Sequence, residues 1–439
     1  MTDHHAASPL DAALAAFPGS GSEVLIGLSG GMDSIVLLHL LAANRRFTAR
    51  AIHVHHGLHP DADHWAQHCR AVCAALGMPL EIVRVKVARD SGEGVEAAAR
   101  NARYAVFAEA VRHGECLVTA HHQDDQAETV LLRLLRGSGA GGLGAMRALR
   151  PFANGQHWRP LLGTARAVLS DYARQHGLTW LDDPSNADTH HDRNFLRREI
   201  IPALRARWPQ AAATLARSAA LLSEHDALLD EQTARRLAQV QGVDPHTLSV
   251  PALLQSSAPW RALILRHWIA TLGLPALPAT GVEKIEQELL TARADARAEF
   301  RWREAVIRRW RDLLYAEAHA TDLPSDWRVV WDGATALQLP TGAQLKLVQA
   351  ESTANAPAPE PFHVGARRGG ERITLPGRTH THAVKIALQD FGVPPWQRKR
   401  LPLVFAQDGE LLAIGDVLRS ARAQAAGWSF RLDGASGDS

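Results

Sequence analysis

The first third of the chain alternates between short apolar runs and segments with helical hydrophobic spacing. The apolar runs predict buried strands at residues 24–28, 51–54, 80–87 and 116–120. The segments between and after them predict helices at residues 34–43, 63–76, 94–111 and 127–135. Near-continuous apolar strands that alternate with helices are typical of a parallel sheet covered on both faces. We therefore predict an α/β domain whose ligands bind at the carboxyl ends of its strands.

The pattern changes after residue 200. From Pro202 to about Leu290 the apolar spacing predicts helices only. Residues 299–315 fit either a helix or a β-hairpin, and their β-branched and aromatic content favours strands. Residues 351–361, rich in Ala, Pro and Glu, predict a linker or a long loop before a last segment of mixed helix and strand. At about 150 residues per domain, the 439 residues suggest three domains, which we place at 1–215, 216–320 and 321–439.

Composition indicates a soluble protein of the cell interior. The 46% of apolar residues support a buried core, and the 21% of charged residues argue against global disorder. Three Cys, at positions 69, 73 and 116, are too few for a disulfide scaffold or a four-Cys zinc site. The first residues lack the pattern of a signal peptide, and no apolar run approaches about 18 residues. We expect a cytoplasmic protein without a membrane segment.

The string SGGMDS lies directly between the first predicted strand and the first predicted helix. Its two glycines let backbone N–H groups approach an anion, its two serines add hydroxyl donors, and the helix N-terminus adds unpaired N–H groups. Asp33 would repel a phosphate, but it suits a Mg²⁺ ion that bridges phosphates. The plainer alternative is a Gly-rich turn with an ordinary helix cap. We predict a phosphate-binding loop formed by Ser29, Gly30, Gly31, Met32, Asp33 and Ser34.

A second cluster, HHQDDQAET at residues 121–129, follows the fourth predicted strand. Its carboxylates Asp124, Asp125 and Glu128 destabilise a fold unless a cation or a helix cap uses them. One interpretation is capping, with Asp124 or Asp125 as the cap and Glu128 completing a capping box. The other is a metal site shared with Asp33 at the same edge of the sheet. Both can hold at once.

Two further segments supply candidates for ligand binding. Arg100 and Arg103 lie along one predicted helix, where they suit a phosphate or an RNA, although an ordinary ion pair of Arg100 with Glu96 is the alternative. His53, at the end of the second predicted strand, could reach a nucleotide. A zinc site at that position is disfavoured, because no acidic or Cys partner has ligand spacing.

Together these strings resemble the tRNA(Ile)-lysidine synthase family of the PP-loop (N-type) ATP pyrophosphatases. The matching strings are SGGMDS (29–34), HVHHGL (53–58), GVEAAARNARY (94–104), HHQDDQAET (121–129), LLRGSGAGGLGAM (134–146), RPLL (159–162), LDDPSNAD (181–188) and DRNFLRREIIPAL (192–204). The first string alone indicates only the superfamily, whereas the later ones are specific to the family. The resemblance is strong over about residues 20–225, and residues 370–405 are similar to the family's small terminal domain.

The resemblance implies a reaction and an architecture. ATP with Mg²⁺ would adenylate O2 of the wobble cytidine in the CAU anticodon of a minor isoleucine tRNA, releasing pyrophosphate. The ε-amine of free L-lysine would then displace AMP and leave lysidine. The α/β parallel-sheet PP-loop domain would be followed by a helical substrate-binding domain and a small α+β domain that recognises tRNA.

The resemblance also implies roles for individual residues. The catalytic residues would be Asp33, Arg100, Arg103, Asp124 and Asp125, with the metal on Asp33 and one of the two adjacent aspartates. ATP would contact residues 29–34, His53 and Arg197. The lysine ammonium would contact Glu128, and the RNA would contact Asn194, Arg197 and Arg198.

Positive charge is concentrated in three segments, although the net charge is only +2. Residues 193–217 carry six Arg against one acid, residues 293–311 seven Arg against three acids, and residues 361–400 eight Lys or Arg against two acids. RNA binding needs such an electrostatic footprint, and neighbouring aromatic residues suit base stacking. The alternative is an Arg-rich composition without a binding role. We predict tRNA contacts at Arg367, Arg368, Arg398, Lys399 and Arg400.

Two rival functions remain open at this stage. Another PP-loop tRNA-modifying enzyme, such as a thiolase, would usually carry CxxC pairs, whereas Cys69 and Cys73 form CxxxC on one predicted helix. A non-catalytic RNA-binding protein would have no need of the intact carboxylates. The sequence does not determine the oligomeric state, and a homodimer is one option.

Overall fold

The computed structural model describes residues 9–17, 21–87, 94–182, 184, 188–293, 298–349, 360–378 and 380–434. Its contacts divide the chain into two compact units, Met1–Glu231 and Gln232–Ser439. The division into three domains at 215 and 320 stays a prediction. The predicted linker lies outside the described residues up to residue 359, and so does the side chain of Glu96.

A six-stranded sheet forms the centre of the first unit. Its strands are β1 (Glu23–Gly27), β2 (Thr48–His55), β3 (Leu80–Arg84), β4 (Cys116–Val118), β5 (Leu149–Phe152) and β6 (Gly155–Trp158). The helices are α1 (Pro9–Ala15), α2 (Met32–Ala43), α3 (Ala62–Ala75), α4 (Val95–Ala110), α5 (Gln123–Leu135), α6 (Ala140–Leu143), α7 (Arg166–Gln175), α8 (Asp192–Phe195), α9 (Ile201–Arg207) and α10 (Ala211–Val240), with a π-helical turn, Leu196–Ile200, joining α8 to α9. The last helix, α10, extends into the second unit.

The predicted parallel sheet is confirmed. The strand order is β3-β2-β1-β4-β6-β5, with parallel pairing throughout except for β5, which runs antiparallel to β6. Val24 and Ile26 pack into one core with Leu37, whereas Leu25 packs into the core on the opposite face with Phe107. A strand that is buried on both faces needs apolar residues at successive positions, which explains the continuous apolar runs.

The strand order changes direction at β1. The chain proceeds from β1 to β2 and β3 on one side of the sheet and then returns to β4 on the other side. Open α/β sheets bind ligands in the crevice at the carboxyl ends of the strands where the order reverses. The two segments that leave this crevice are the SGGMDS loop before α2 and the HHQDD segment before α5.

The second unit begins with a four-stranded antiparallel sheet of order β7-β10-β9-β8 packed with helices. Its elements are β7 (Thr247–Ser249), α11 (Val250–Leu254), α12 (Ala258–Thr271), α13 (Ala279–Lys284), a π-helical turn (Ile285–Leu289), β8 (Glu299–Trp302), β9 (Ala305–Trp310) and β10 (Leu313–Ala318). The strand prediction for residues 299–315 is confirmed. The all-helical prediction for residues 202–290 is wrong at β7, where the buried Leu248 extends the sheet through pairing with β10, a contact that helical spacing does not reveal.

Smaller sheets complete the second unit. Their strands are β11 (Arg328–Trp331), β12 (Leu337–Gln338), β13 (Gln344–Gln349), β14 (Phe362–Gly365), β15 (Arg372–Ile373), β16 (His382–Ala383), β17 (Leu403–Phe405), β18 (Leu411–Ile414), β19 (Leu418–Arg419) and β20 (Trp428–Asp433). They are accompanied by α14 (Val384–Asp390), α15 (Ala421–Ala425) and a 3-10 turn, Gln397–Lys399. The predicted mixture of helix and strand is confirmed. None of the described helices is both long and apolar enough to cross a bilayer.

Candidate active site

The hydroxyl of Ser34 stabilises the SGGMDS loop through hydrogen bonds. Its Oγ accepts hydrogen bonds from the Gly30 amide at 3.1 Å and from the Ser29 hydroxyl at 3.0 Å, and it donates to the Gly31 carbonyl at 2.9 Å. Both serine hydrogens are therefore used inside the loop. The donors left for an anion are the first amides of α2, which have no acceptor within a helix.

Gly30 adopts a backbone conformation in this loop that favours glycine. Its φ of +90° is one that side-chain-bearing residues rarely adopt, and a Cβ there would lie 3.2 Å from the Cys69 sulfur. Gly31, by contrast, has an ordinary φ of −76° and is the N-cap residue that precedes α2. His53 lies beneath the loop at 5% exposure, with its Nδ1 2.9 Å from the Leu28 carbonyl oxygen. That geometry supports the end of β1.

The imidazole of His122 joins the two motifs. Its Nε2 lies 3.5 Å from a carboxylate oxygen of Asp33 and 3.4 Å from one of Asp125. Its Nδ1 accepts the amide hydrogens of Asp124 and Asp125, and Asp125 accepts the His122 amide in return. The predicted cap, an aspartate with Glu128, is therefore wrong in its members: His122 caps α5 because its ring already supplies the acceptor, and Asp125 completes the box.

The protonation of His122 follows from these contacts. Burial disfavours its charged form, but the hydrogen bond with Asp33 and the charge of Asp125 outweigh burial and raise the pKa of His122. A ring that accepts hydrogen bonds at Nδ1 carries its own hydrogen on Nε2. In this geometry the Nε2–H is directed at the carboxylates of Asp33 and Asp125.

Two arginines neutralise the buried carboxylates of α5. Glu128 is fully buried and accepts hydrogen bonds from Arg193 Nε at 2.7 Å and from Arg197 Nε at 2.6 Å. Both arginines also reach Asp125, at 3.3 and 2.9 Å. Burial alone would raise the pKa of Asp125, but His122 and the arginines lower it to about 2. Asp124 is held apart from this group by an ion pair with Arg205.

The π-helical turn between α8 and α9 places Arg193, Arg197 and Arg205 along one face of the helix, which we call the arginine stripe. At about 100° per residue, Arg193 and Arg205 would be about 120° apart around a regular α-helix. The extra residue of a π turn reduces that angle to about 20°. Pro202 explains the turn, because it has no amide hydrogen and its ring crowds the carbonyl four residues earlier in a regular helix.

A chain of hydrogen bonds sets the tautomer of His121. Arg159 Nη2 donates to His157 Nδ1 at 3.1 Å, His157 Nε2 lies 2.8 Å from Thr119 Oγ1, and this hydroxyl lies 2.8 Å from His121 Nδ1. Because arginine can only donate, His157 accepts at Nδ1 and donates from Nε2 to the Thr119 hydroxyl. That hydroxyl then donates to His121 Nδ1, so His121 carries its hydrogen on Nε2. Burial lowers the pKa of His157 to about 2 and that of His121 to about 3, so both rings are neutral.

The other predicted residues of the first unit lie around this centre. The guanidinium of Arg100 lies 5.1 Å from the Tyr104 ring centroid, and its charge contributes to the low pKa of His121. Arg103 acts, after burial, to lower the pKa of His56 to about 4. Asn194 donates to the Asp188 carbonyl at 2.8 Å and is therefore directed at the loop before α8. Arg198 is exposed.

The predicted tRNA contacts of the second unit differ in how they are held. Lys399 is 71% exposed, 3.6 Å from Asp322, whereas Arg400 is largely buried, 3.0 Å from Glu317. Arg398 donates to a backbone carbonyl at 2.8 Å. Arg367 lies 3.6 Å from a glutamate four residues on, and Arg368 is exposed.

Sequence reasoning missed four residues of the centre. They are Arg193 and Arg205 on the arginine stripe, His122 as a cap, and Arg166, whose Nε lies 3.7 Å from Asp33. The spacing of Arg193 four residues before Arg197 was an available signal, since residues i and i+4 share a helix face. The pairing of Arg205 and Arg166 with residues far along the chain left none.

Asp33 and Asp125 are the residues that fit a magnesium ion. The described residues include no group of three or more His, Cys, Asp or Glu arranged around a metal. Mg²⁺ commonly takes only one or two carboxylates, with substrate phosphates and water completing its shell. Oδ1 of Asp33 is buried and has no hydrogen-bond partner, which fits a cation ligand. Asp125 contacts the same His122 imidazole as Asp33, whereas Asp124 forms an ion pair with Arg205.

The parallel sheet, the glycine loop on its first strand and the carboxylates at its switch point define a nucleotide-binding α/β protein of the PP-loop class. Residues 3–204 match the PP-loop domain, residues 248–315 the TilS substrate binding domain, and residues 362–432 the TilS substrate C-terminal domain. The tRNA(Ile)-lysidine synthase of Xanthomonas axonopodis pv. citri is 53% identical over 400 residues, which are 90% of each chain. Those of Xylella fastidiosa and Yersinia pseudotuberculosis are 51% and 41% identical over 409 and 418 residues, 92% and 90% of each chain. The chain belongs to the tRNA(Ile)-lysidine synthase family, which confirms the resemblance inferred from its motifs.

Proposed function

We propose that this protein converts the wobble cytidine of a CAU-anticodon isoleucine tRNA to lysidine. Cytosine O2 attacks the α-phosphorus of ATP, and pyrophosphate leaves. The ε-amine of free L-lysine then bonds to C2, the C2–O2 bond breaks, and AMP leaves with that oxygen. The observation that supports this reaction is the convergence of the phosphate loop, Asp33, His122 and Asp125 at the switch point, in a chain of this family.

ATP is held through amides more than through cations. The first amides of α2 and the positive end of its helix dipole face the crevice and suit the phosphates, with Ser34 keeping the loop in shape. Asp33 and Asp125 would hold Mg²⁺, which supplies charge neutralisation to the leaving pyrophosphate. His122 keeps both carboxylates oriented through its Nε2–H.

Glu128 is the proposed partner of the lysine ammonium. An anion suits this substrate, which must lose a proton before its nitrogen attacks. Glu128 is bound by Arg193 and Arg197, so one of them has to turn away before an ammonium can replace it. Arg197 is the better candidate, because it is 34% exposed and the phosphates offer it an alternative anion. Lysine binding would then follow ATP binding.

Neutral and cationic groups flank the place where the base would lie. His121 offers a fixed Nε2–H, and Arg100 and Arg103 would offset negative charge on the adenylated intermediate. The anticodon arm would contact Asn194 and Arg198, and further tRNA contacts would come from Arg367, Arg368, Arg398, Lys399 and Arg400. A cytoplasmic location, a homodimer and the division into catalytic, helical and terminal domains complete the proposal.

The three cysteines argue against the thiolase alternative. Cys69, Cys73 and Cys116 are buried, and burial raises the pKa values of their thiols to about 12, 11 and 12. Sulfur transfer needs an accessible thiolate. Buried thiols with raised pKa values do not supply such a thiolate.

The proposal is tested by measuring AMP and pyrophosphate release with ATP and each combination of tRNA and lysine, and by detecting lysidine in the tRNA by mass spectrometry. We expect AMP release to need both tRNA and lysine. Asp33→Ala should lose pyrophosphate release at least 100-fold, since electrostatic ligands at the reacting centre contribute that order of magnitude. The matched control is Asp171→Ala, whose carboxylate is 75% exposed on α7. Release that continues without tRNA would reject the proposal.

A further inference from the structure

A cavity of about 780 Å³ lies within the second unit. Its walls are the β8–β9 hairpin, the segment 319–322 that follows β10, and the segment 395–400. Pockets that enclose small organic ligands commonly have volumes of about 300–1,000 Å³. The cavity is therefore large enough for a nucleobase with its sugar and phosphate.

Two tryptophans give the cavity flat apolar surfaces. Trp310 and Trp396 both line it. Trp396 is held by two neighbours: Tyr315 meets it edge-on at 5.4 Å between ring centroids, and the guanidinium of Arg308 lies over one face, 5.1 Å from the ring centroid. Arg308 itself is buried at 8% exposure. A ring that is already immobilised loses little entropy when a base stacks on it.

The lining also carries an excess of positive charge. Five basic residues line the cavity against two acidic ones, which are Arg301, Arg308, Arg309, Lys399 and Arg400 against Glu299 and Asp322. A third acid, Glu317, accepts hydrogen bonds from Arg308 and Arg400. The balance remains positive when Glu317 is included, so the cavity favours an anion.

One donor at the wall lacks an acceptor. The indole Nε1 of Trp396 is buried without a hydrogen-bond partner, whereas the Nε of Arg400 lies 3.7 Å from the Asp322 carboxylate. Buried donors are nearly always paired in folded proteins, so the unpaired indole N–H indicates a missing polar partner.

We propose that this cavity binds one unpaired nucleotide of an RNA, with its base stacked on a tryptophan and its phosphate against the arginines. Single-stranded RNA is commonly bound by such a combination of aromatic faces and basic groups. The rim distinguishes an RNA from a free nucleotide. Arg301 is 51% and Lys399 is 71% exposed there, where they can meet the phosphates on either side of the inserted base. This inference rests on the proposed function in one respect, which is that the substrate is an RNA.

The test uses the full chain and a uridine tetranucleotide that contains 4-thiouridine. Ultraviolet crosslinking followed by peptide mass spectrometry locates the base, and fluorescence anisotropy measures affinity. We expect crosslinks within residues 298–322 or 395–400. Trp396→Ala should weaken this binding about tenfold or more, the loss typical of one stacked base. The matched control is Arg431→Ala, a 73% exposed arginine of the same unit that is not on the cavity. If Trp396→Ala unfolds, Arg301→Ala with Lys399→Ala serves, and it should lower the slope of log affinity against log salt by about two.

Three results would overturn the proposal. They are crosslinks confined to other segments, equal binding of a blunt duplex long enough to stay paired, and displacement of the tetranucleotide from these peptides by AMP at equal affinity. The last result would assign the cavity to a free nucleotide. None of these measurements depends on lysidine formation, so failure of the proposed reaction and failure of this site are separable.

Discussion

Replacing Glu128 with Gln removes one charge from the most buried part of the site while keeping the shape of the side chain. Two guanidiniums lose their shared anion, and only Asp125 still faces both. Unit charges about 4 Å apart attract by about 4 kcal/mol at an effective dielectric constant of about 20. Burying the carboxylate offsets part of that attraction, and removing one member of a buried pair costs about 3–5 kcal/mol. Because the arginines are 26% and 34% exposed, we expect a loss near 3 kcal/mol.

Amide hydrogen exchange measures this loss where it occurs. Peptides from α5 and from α8 to α9 should exchange about 100-fold faster in Glu128→Gln, because about 1.4 kcal/mol corresponds to a factor of ten. Peptides of β2 and β3 should change far less. The control is Glu109→Gln, an exposed glutamate on α4 of the same unit. Unchanged exchange in the α5 peptides would show that the ion pairs contribute little net stability.

The same variant separates the two chemical steps. Pyrophosphate release with ATP and tRNA should stay within a few-fold of the native rate, since Glu128 is not a phosphate or metal ligand. The lysine concentration needed for half-maximal AMP release should rise at least tenfold, because a neutral amide attracts an ammonium much less than a carboxylate does. An unchanged lysine dependence would refute the assignment of Glu128 while leaving the ion pairs intact.

Three further predictions concern the surroundings of the site. Gly30→Ala should raise the KM for ATP at least fivefold in a pyrophosphate-release assay, because a φ of +90° strains an alanine by about 1–3 kcal/mol and its Cβ meets the Cys69 sulfur; an unchanged KM would contradict the strain. Thr119→Val should break the hydrogen-bond chain, so that ¹⁵N spectra show His121 as a mixture of tautomers in place of the single Nε2–H form. Burial raises the pKa of Glu115, but its hydrogen bonds with an arginine and an amide outweigh that effect and lower it; its stabilisation is therefore present at neutral pH and lost in acid. Glu115→Gln should unfold about 3 kcal/mol more easily at pH 7, with the difference shrinking below pH about 4 in urea titrations.

Local patterns were sufficient to predict the sheet and the edge at which the two motifs meet. The strands of the first unit read as continuous apolar runs because each is buried on both faces, and the two motifs follow the strands that flank the switch point. Gly30 could likewise be identified from the sequence, since it adopts a conformation that few other residues adopt. These features depend on residues close together in the chain.

The arginine stripe could not be predicted in the same way. Glu128 and its partner Arg197 are 69 residues apart, and nothing near either residue indicates the pairing. The π turn that aligns Arg205 with Arg193 depends on how a proline is accommodated within a helix, which spacing rules for regular helices do not describe. Short strands such as β7 fail for a related reason, because their pairing partner lies far along the chain.

The pairing of charges within the site would favour backbone groups as its phosphate ligands. Asp125 and Glu128 face two arginines, Asp124 faces a third, and Asp33 lies between the His122 imidazole and the partly exposed Arg166. Each of these arginines already faces a carboxylate, so a triphosphate could take one only if an ion pair opens. The amides that begin α2 are free of that constraint, since they are polar without being charged and are held in place by a loop that only glycine permits. An arginine that moved from Glu128 to a bound phosphate would expose the carboxylate to lysine, so this exchange of partners would make lysine binding follow ATP binding.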